Sequence, residues 1–67
     1  MKEIKLAENI KFYRKAFHLS QEKLAQILNV DKRIVSAWEN NSRKPDLESL
    51  AKLCEIFGET LDSLFFE

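Results

Sequence analysis

Apolar residues recur near the start of the chain at Leu6, Ile10, Tyr13 and Phe17, in steps of four, three and four that share one side of a helix. The spacing predicts an amphipathic helix over 5–17, from about Lys5 to Phe17. Ser20 can cap a second helix over 21–28, with Glu22 favoured by the dipole in its first turn and Leu24, Ala25 and Leu28 facing inward. Asn29 can take the left-handed conformation that ends a helix, Val30 is an apolar turn residue, and Asp31 can cap a third helix over 32–40. That helix cannot run on through Asn41-Ser42-Arg43-Lys44-Pro45, because the residue before a proline is pushed towards extended geometry. Asp46 then caps a helix over 47–57 with the stripe Leu47, Leu50, Cys54 and Phe57, stopped by Gly58. Thr60 caps a last helix over 61–65 that is expected to return Leu61 and Leu64 to the core. The pattern is all-α throughout.

At 67 residues the chain is expected to form one domain, 1–67, with a thin core, since folding at this size buries only about 60% of the unfolded surface. One glycine and one proline leave little for a sheet with tight turns or for a phosphate-cradling glycine loop. Cys54 alone cannot form an internal disulfide, and with His18 it cannot complete a four-ligand zinc site. Neither paired carboxylates nor a nucleophile beside a base can be assembled, so no enzyme, cofactor or metal is expected. His18 fits a conformational role in a turn, Cys54 an inert thiol on an apolar stripe, and Trp38 the core beside Val35. No apolar run approaches the ~20 residues of a membrane span and the N-terminus has no export signal, so a cytoplasmic location is expected.

Formal net charge is zero, but its distribution is uneven. Residues 1–44 carry ten Lys/Arg against five Asp/Glu, a net +5, whereas residues 45–67 carry Lys52 against six acids, a net −5. A basic half and an acidic half suit a nucleic-acid face set against a face turned away from phosphate, and on charge alone they equally suit a solvated mixed surface.

The second and third helices, joined by a three-residue turn, satisfy helix-turn-helix geometry, with small Ala25 midway along the first and Val30 in the turn. On the third helix Lys32, Arg33, Ser36 and Ala37 face away from the Val35 and Trp38 side, and these are side chains suited to a major groove. Lys and Arg donate to guanine O6 and N7, Ser bonds either partner, and Ala can meet a thymine methyl.

The segments "LSQEKLAQILNVDKRIVSAWEN", "RKPDLESLAKLCEIFG" and "LDSLF" together resemble the Cro/phage-repressor, or XRE, type of helix-turn-helix regulator over about Leu6 to Phe65. The resemblance implies a five-helix lambda-repressor-like DNA-binding fold and places Lys32, Arg33 and Ala37 on base-reading positions with Ser36 beside them. It implies phosphate contacts for Gln21, which also braces the recognition helix, and for Asn40, Arg43 and Lys44 after it. It further implies an ion pair between Arg14 and Glu39, and a Glu at a helix C-terminus needs such a cation because it opposes the dipole. The chain departs from the family at His18, Asn29 and Asn41, where glycine is usual; Asn and His are among the non-glycine residues most enriched at positive φ. Asp31 replaces the commoner Ser or Thr cap and puts a negative charge near DNA, and Glu59 stands where a small apolar residue is usual.

Phe12, Phe17, Ile56, Phe65 and Phe66 remain after the predicted core is filled and call for a partner or better packing, Phe65 folding back onto the first or fourth helix in a monomer. A homodimer through Leu64, Phe65 and Phe66 is expected, on the acidic half away from DNA, with an inverted-repeat duplex as the second partner. The expected function is sequence-specific regulation, as a repressor that occupies an operator. The alternative is an antitoxin-like module whose main partner is a toxin or other protein, met through Phe12 and Phe17.

Overall fold

The computed structural model describes residues 3–66, which form α1 (Leu6–Ala16), α2 (Gln21–Leu28), α3 (Lys32–Glu39), α4 (Leu47–Phe57) and α5 (Leu61–Phe66). No described helix is long and apolar enough to cross a membrane. The caps act where local chemistry places them. Ser20 Oγ accepts from Lys23 N at 2.9 Å, and Asp46 Oδ1 accepts from Ser49 N at 2.9 Å. Those Ser49 hydrogen bonds, side-chain first, hold the Asp46 carboxyl below its ordinary range. Thr60 Oγ1 accepts from Ser63 N at 3.1 Å while Ser63 Oγ accepts from Thr60 N at 3.2 Å, a reciprocal capping box at the start of α5. Glu59, unaccounted for by sequence alone, accepts from Ser63 Oγ at 2.9 Å and so steadies this box.

The ends of α1 to α4 share one device. A residue at positive φ (His18 58°, Asn29 58°, Asn41 67°, Gly58 66°) turns the chain, and the next amide reaches back five residues. These closures run from Leu19 N to Arg14 O (3.0 Å), Val30 N to Ala25 O (2.9 Å), Ser42 N to Ala37 O (2.9 Å) and Glu59 N to Cys54 O (3.0 Å). Each caps a carbonyl that would otherwise lack a partner at the helix end. Three of the four turns therefore hold a side chain in left-handed backbone.

The core comprises Leu6, Ile10, Leu24, Ala25, Leu28, Val35, Trp38, Leu50, Leu53, Phe57 and Leu64, drawn from all five helices. Several apolar positions differ from expectation. Leu64 is fully buried in its own chain, so it is core and not a surface for a second copy. Leu47 (74% exposed) and Leu61 (47%) lie outside the core that their stripes predicted. Between them, with Leu50, Phe65 and Phe66, runs an open apolar groove. Phe17 is half exposed, its ring 5.7 Å from that of Phe57, which also stacks at 5.6 Å on half-buried Tyr13. Cys54 is half-buried against the core, where desolvation, with nearby Glu59, pushes its thiol pKa up and away from a reactive thiolate.

The buried face of α1 includes two polar residues, Asn9 and Arg14, in place of the half-exposed end of the apolar stripe. Asn9 Nδ2 donates to Leu64 O at 2.8 Å, and Lys5 N donates to Phe65 O at 2.6 Å, so the start of α1 closes on the carbonyls of α5. Arg14 is held at the other end of α1. Its Nε and Nη2 donate to Glu39 Oε2 and Oε1 at 2.6 and 3.1 Å, and its Nη1 donates to Leu19 O at 2.7 Å. The two side chains are only 9% and 4% exposed, so removal of one partner strands a buried charge.

Two outcomes follow for stability. His18→Gly relieves a left-handed side chain worth roughly 1–2 kcal/mol but restores ~0.4–1 kcal/mol of unfolded-chain entropy, so stability rises by between about 0 and 1.6 kcal/mol and the urea midpoint does not fall. A fall in midpoint contradicts this account of the turn. Glu39→Ala costs roughly 3–5 kcal/mol, whereas the Arg14→Met/Glu39→Leu double variant costs less than either single change. A Glu39→Ala loss below about 1 kcal/mol would mean that the pair behaves as an exposed one.

Candidate nucleic-acid interface

α2 and α3 are joined by Asn29, Val30 and Asp31, and their angle is held by the turn just described. Val35 and Trp38 seal α3 against the core, at 0% and 4% exposure. The helical period then leaves Lys32, Arg33, Ser36 and Ala37 on the opposite side, with Asn40 a turn further on. Lys32 and Arg33 are exposed at the first turn, while Ser36 and Ala37 are half-buried in the middle of the face. Long donors at the leading end and small groups behind them leave a face on which a duplex can approach the helix closely.

Gln21 opens α2, half-buried, and its Nε2 donates to Glu39 Oε1 at 3.1 Å. One carboxylate thus receives the Arg14 guanidinium and the Gln21 amide, which ties the first turn of α2 to the last turn of α3. The start of α2 and the outward face of α3 are consequently parts of one unit.

After α3, Asn40 Oδ1 accepts from Ser42 N at 2.9 Å and also from the Ser42 hydroxyl. With its oxygen occupied in this turn, Asn40 turns amide donors, the groups a phosphate accepts, towards solvent. Arg43 and Lys44 are exposed and border the same groove as Ile34 and Trp38, so the basic loop runs beside α3. Buried Pro45 anchors the loop before Asp46 begins α4.

Sequence reasoning identified Asp31 as a cap but not as a side-chain partner. Its Oδ1 accepts from Arg33 N at 2.8 Å and from Arg33 Nε at 3.1 Å, and its Oδ2 accepts from Arg33 Nη2 at 3.3 Å. The side-chain hydrogen bond from Arg33 leads the causes that lower the Asp31 pKa, and the same bond leads those that raise the Arg33 pKa. The available signal was the spacing of an acidic cap two residues before an arginine. Asn9 left less trace, since its partners on α5 are more than 50 positions away.

The chain matches the family model described as Helix-turn-helix (HTH_3) over residues 10–64. It is 30% identical over 60 residues to the HTH-type transcriptional regulator MJ0272 of Methanocaldococcus jannaschii, covering 90% of this chain and 91% of that protein. It is 35% identical over 57 residues to the HTH-type transcriptional activator BcrR of Enterococcus faecalis, covering 85% of this chain but spanning only 28% of BcrR. Among solved structures, a transcriptional regulator from Listeria innocua superposes with a TM-score of 0.88 at 32% identity, over 94% of this chain and 59% of that one. The fold also matches HppE, solved with Fe(II) and substrate, with a TM-score of 0.78 at 26% identity, over 90% of this chain and 35% of that one. With the motif, the sealed back of α3 and its polar face in place, the chain belongs to the XRE-type helix-turn-helix (HTH_3) family of DNA-binding transcriptional regulators.

Proposed function

We propose that the chain reads a specific duplex sequence in the cytoplasm, occupies an inverted-repeat operator as a homodimer, and represses by excluding polymerase. The observation that carries this reading is the outward face of α3, with Lys32 and Arg33 exposed at its leading end and Val35 and Trp38 buried behind. Lys32, Arg33, Ser36 and Ala37 contact base edges, and Gln21, Asn40, Arg43 and Lys44 hold phosphates on either side. Phosphate contacts supply affinity and register, and base contacts supply choice.

The homodimer is supported by the apolar groove of Leu47, Leu50, Leu61, Phe65 and Phe66, which lies on the acidic half of the chain. Like-charged phosphate is repelled there, and a second copy can cover the exposed leucines. BcrR is an activator by name. A shared binding unit serves either sign, because the position of an operator relative to a promoter decides whether polymerase is blocked or recruited. A second reading, a module whose main partner is a toxin or other protein, is favoured by Phe12 on α1, which is 66% exposed, and by half-exposed Phe17 just past the end of that helix.

Selection of bound duplexes from a random pool at fixed salt tests the proposal. An inverted repeat with half-sites about one helical turn, ~34 Å, apart is the expected product. Arg33→Ala relaxes preference at one base pair by roughly 5- to 150-fold, while Lys44→Ala weakens every sequence alike and lowers the salt slope by about 1. Absence of any enriched sequence, with binding lost at moderate salt, overturns site-specific regulation by this chain. Enrichment of a single unpaired half-site overturns the homodimer.

A further inference from the structure

Arg33 is a long, flexible side chain whose atoms are 89% exposed, and it lies folded back against Asp31. The Asp31 carboxylate grips it along one edge, with Nε on Oδ1 and Nη2 on Oδ2. The carboxylate cannot itself drift, because Oδ1 also caps α3 by accepting from Arg33 N at 2.8 Å. A guanidinium has five N–H donors in a fixed plane. Two are engaged by Asp31, and the three that remain include a parallel pair, one from each Nη, along the far edge. That pair is the one that fits O6 and N7 of guanine.

We propose that Asp31 is a positioning residue for base recognition: fixed as the cap of α3, it holds the Nε edge of Arg33 and presents the Nη1/Nη2 edge to a guanine in the major groove. The proposal rests on Arg33 as a base-contacting residue. Both partners are charged at neutral pH, as an ordinary carboxylate and guanidinium are, and each further favours the charged form of the other. In free solution the pair is screened and weak, with Asp31 itself 54% exposed in its side chain. Docking in a groove removes water from both groups and strengthens their attraction. The same carboxylate repels nearby phosphates of any duplex. Asp31 therefore acts in two directions, lowering affinity for all DNA while raising the preference of Arg33 for one base. An Arg33 that misses its guanine is held by Asp31 and is less free to swing onto a phosphate and stabilise a wrong site.

Asp31→Asn is the informative substitution, since Asn caps a helix about as well as Asp but cannot offer an ionised fork. Affinities of wild type, Asp31→Asn, Arg33→Ala and the double variant are measured on the selected operator and on the same operator changed at the base pair that Arg33→Ala relaxes. Wild type is expected to discriminate by roughly 5- to 150-fold, and Asp31→Asn to lose at least two-thirds of that ratio while binding an unrelated duplex as tightly as wild type or tighter. The double variant should discriminate no worse than Arg33→Ala alone, as expected if Asp31 acts through Arg33. In the free protein, the Arg33 Nε–H resonance should shift and exchange faster with water in Asp31→Asn. A uniform gain in affinity with the ratio unchanged overturns the proposal and leaves Asp31 as a repulsive cap only. If Arg33→Ala relaxes no base pair, the assignment of Arg33 to base reading fails and the presenting role falls with it. If Arg33→Ala relaxes one and Asp31→Asn does not, only the presenting role fails.

Discussion

Glu39 is the point on which the arrangement of this domain turns. A carboxylate in the last turn of a helix opposes the helix dipole, and one that is 4% exposed has also lost its water. It is tolerable only with donors around it, and the chain supplies them from two other helices: Nε and Nη2 of Arg14 from α1 and Nε2 of Gln21 from α2. Arg14 in turn reaches Leu19 O in the loop between those helices. One buried charge thus fixes the end of α3 against the helix before it and against the turn that leads there. Gln21, proposed to hold phosphate, keeps its spacing from the residues proposed to read bases for this reason.

The second constraint is economy of size. A chain of 67 residues has little core to spend on orienting loops, so the turns are set by backbone closure. Four helices end on the same left-handed residue and back-bonded amide, three with Asn or His in place of glycine. Asn41 combines this with the Asn40 and Ser42 turn, which carries the chain from α3 into the basic loop. Asn9 and the Lys5 amide then join α1 to the carbonyls of α5, closing the two ends of the described chain on each other.

What was legible in the sequence was mostly local. Ser20, Asp31, Asp46 and Gly58 announced their caps because capping depends on residues two to four positions away, and the three positive-φ side chains stood out as departures from a familiar pattern. Helix faces were less legible. The apolar spacing of α1 runs through Phe17, but Asn9 and Arg14 are buried because distant partners satisfy them, and a hydrophobicity pattern does not register such partners. Leu47 and Leu61 looked like core by spacing, whereas the packing of α4 and α5 leaves them bordering an open groove and encloses Leu64 instead. In the candidate interface the outward set of Lys32, Arg33, Ser36 and Ala37 followed from period alone. The grip of Asp31 on Arg33 depended on a rotamer that period does not specify.

We propose that a unit held together at Glu39 presents one face of α3 to DNA, flanked by the start of α2 and the loop after α3. Amide chemical-shift mapping on titration with a cognate duplex tests it most directly. Shifts are expected to be confined to Gln21 and its neighbours, Lys32 to Ala37, and Asn40 to Lys44, with α5 unmoved because its dimer contacts are already made without DNA. Shifts centred on α4 and α5, with Lys32 and Arg33 unmoved, would contradict it.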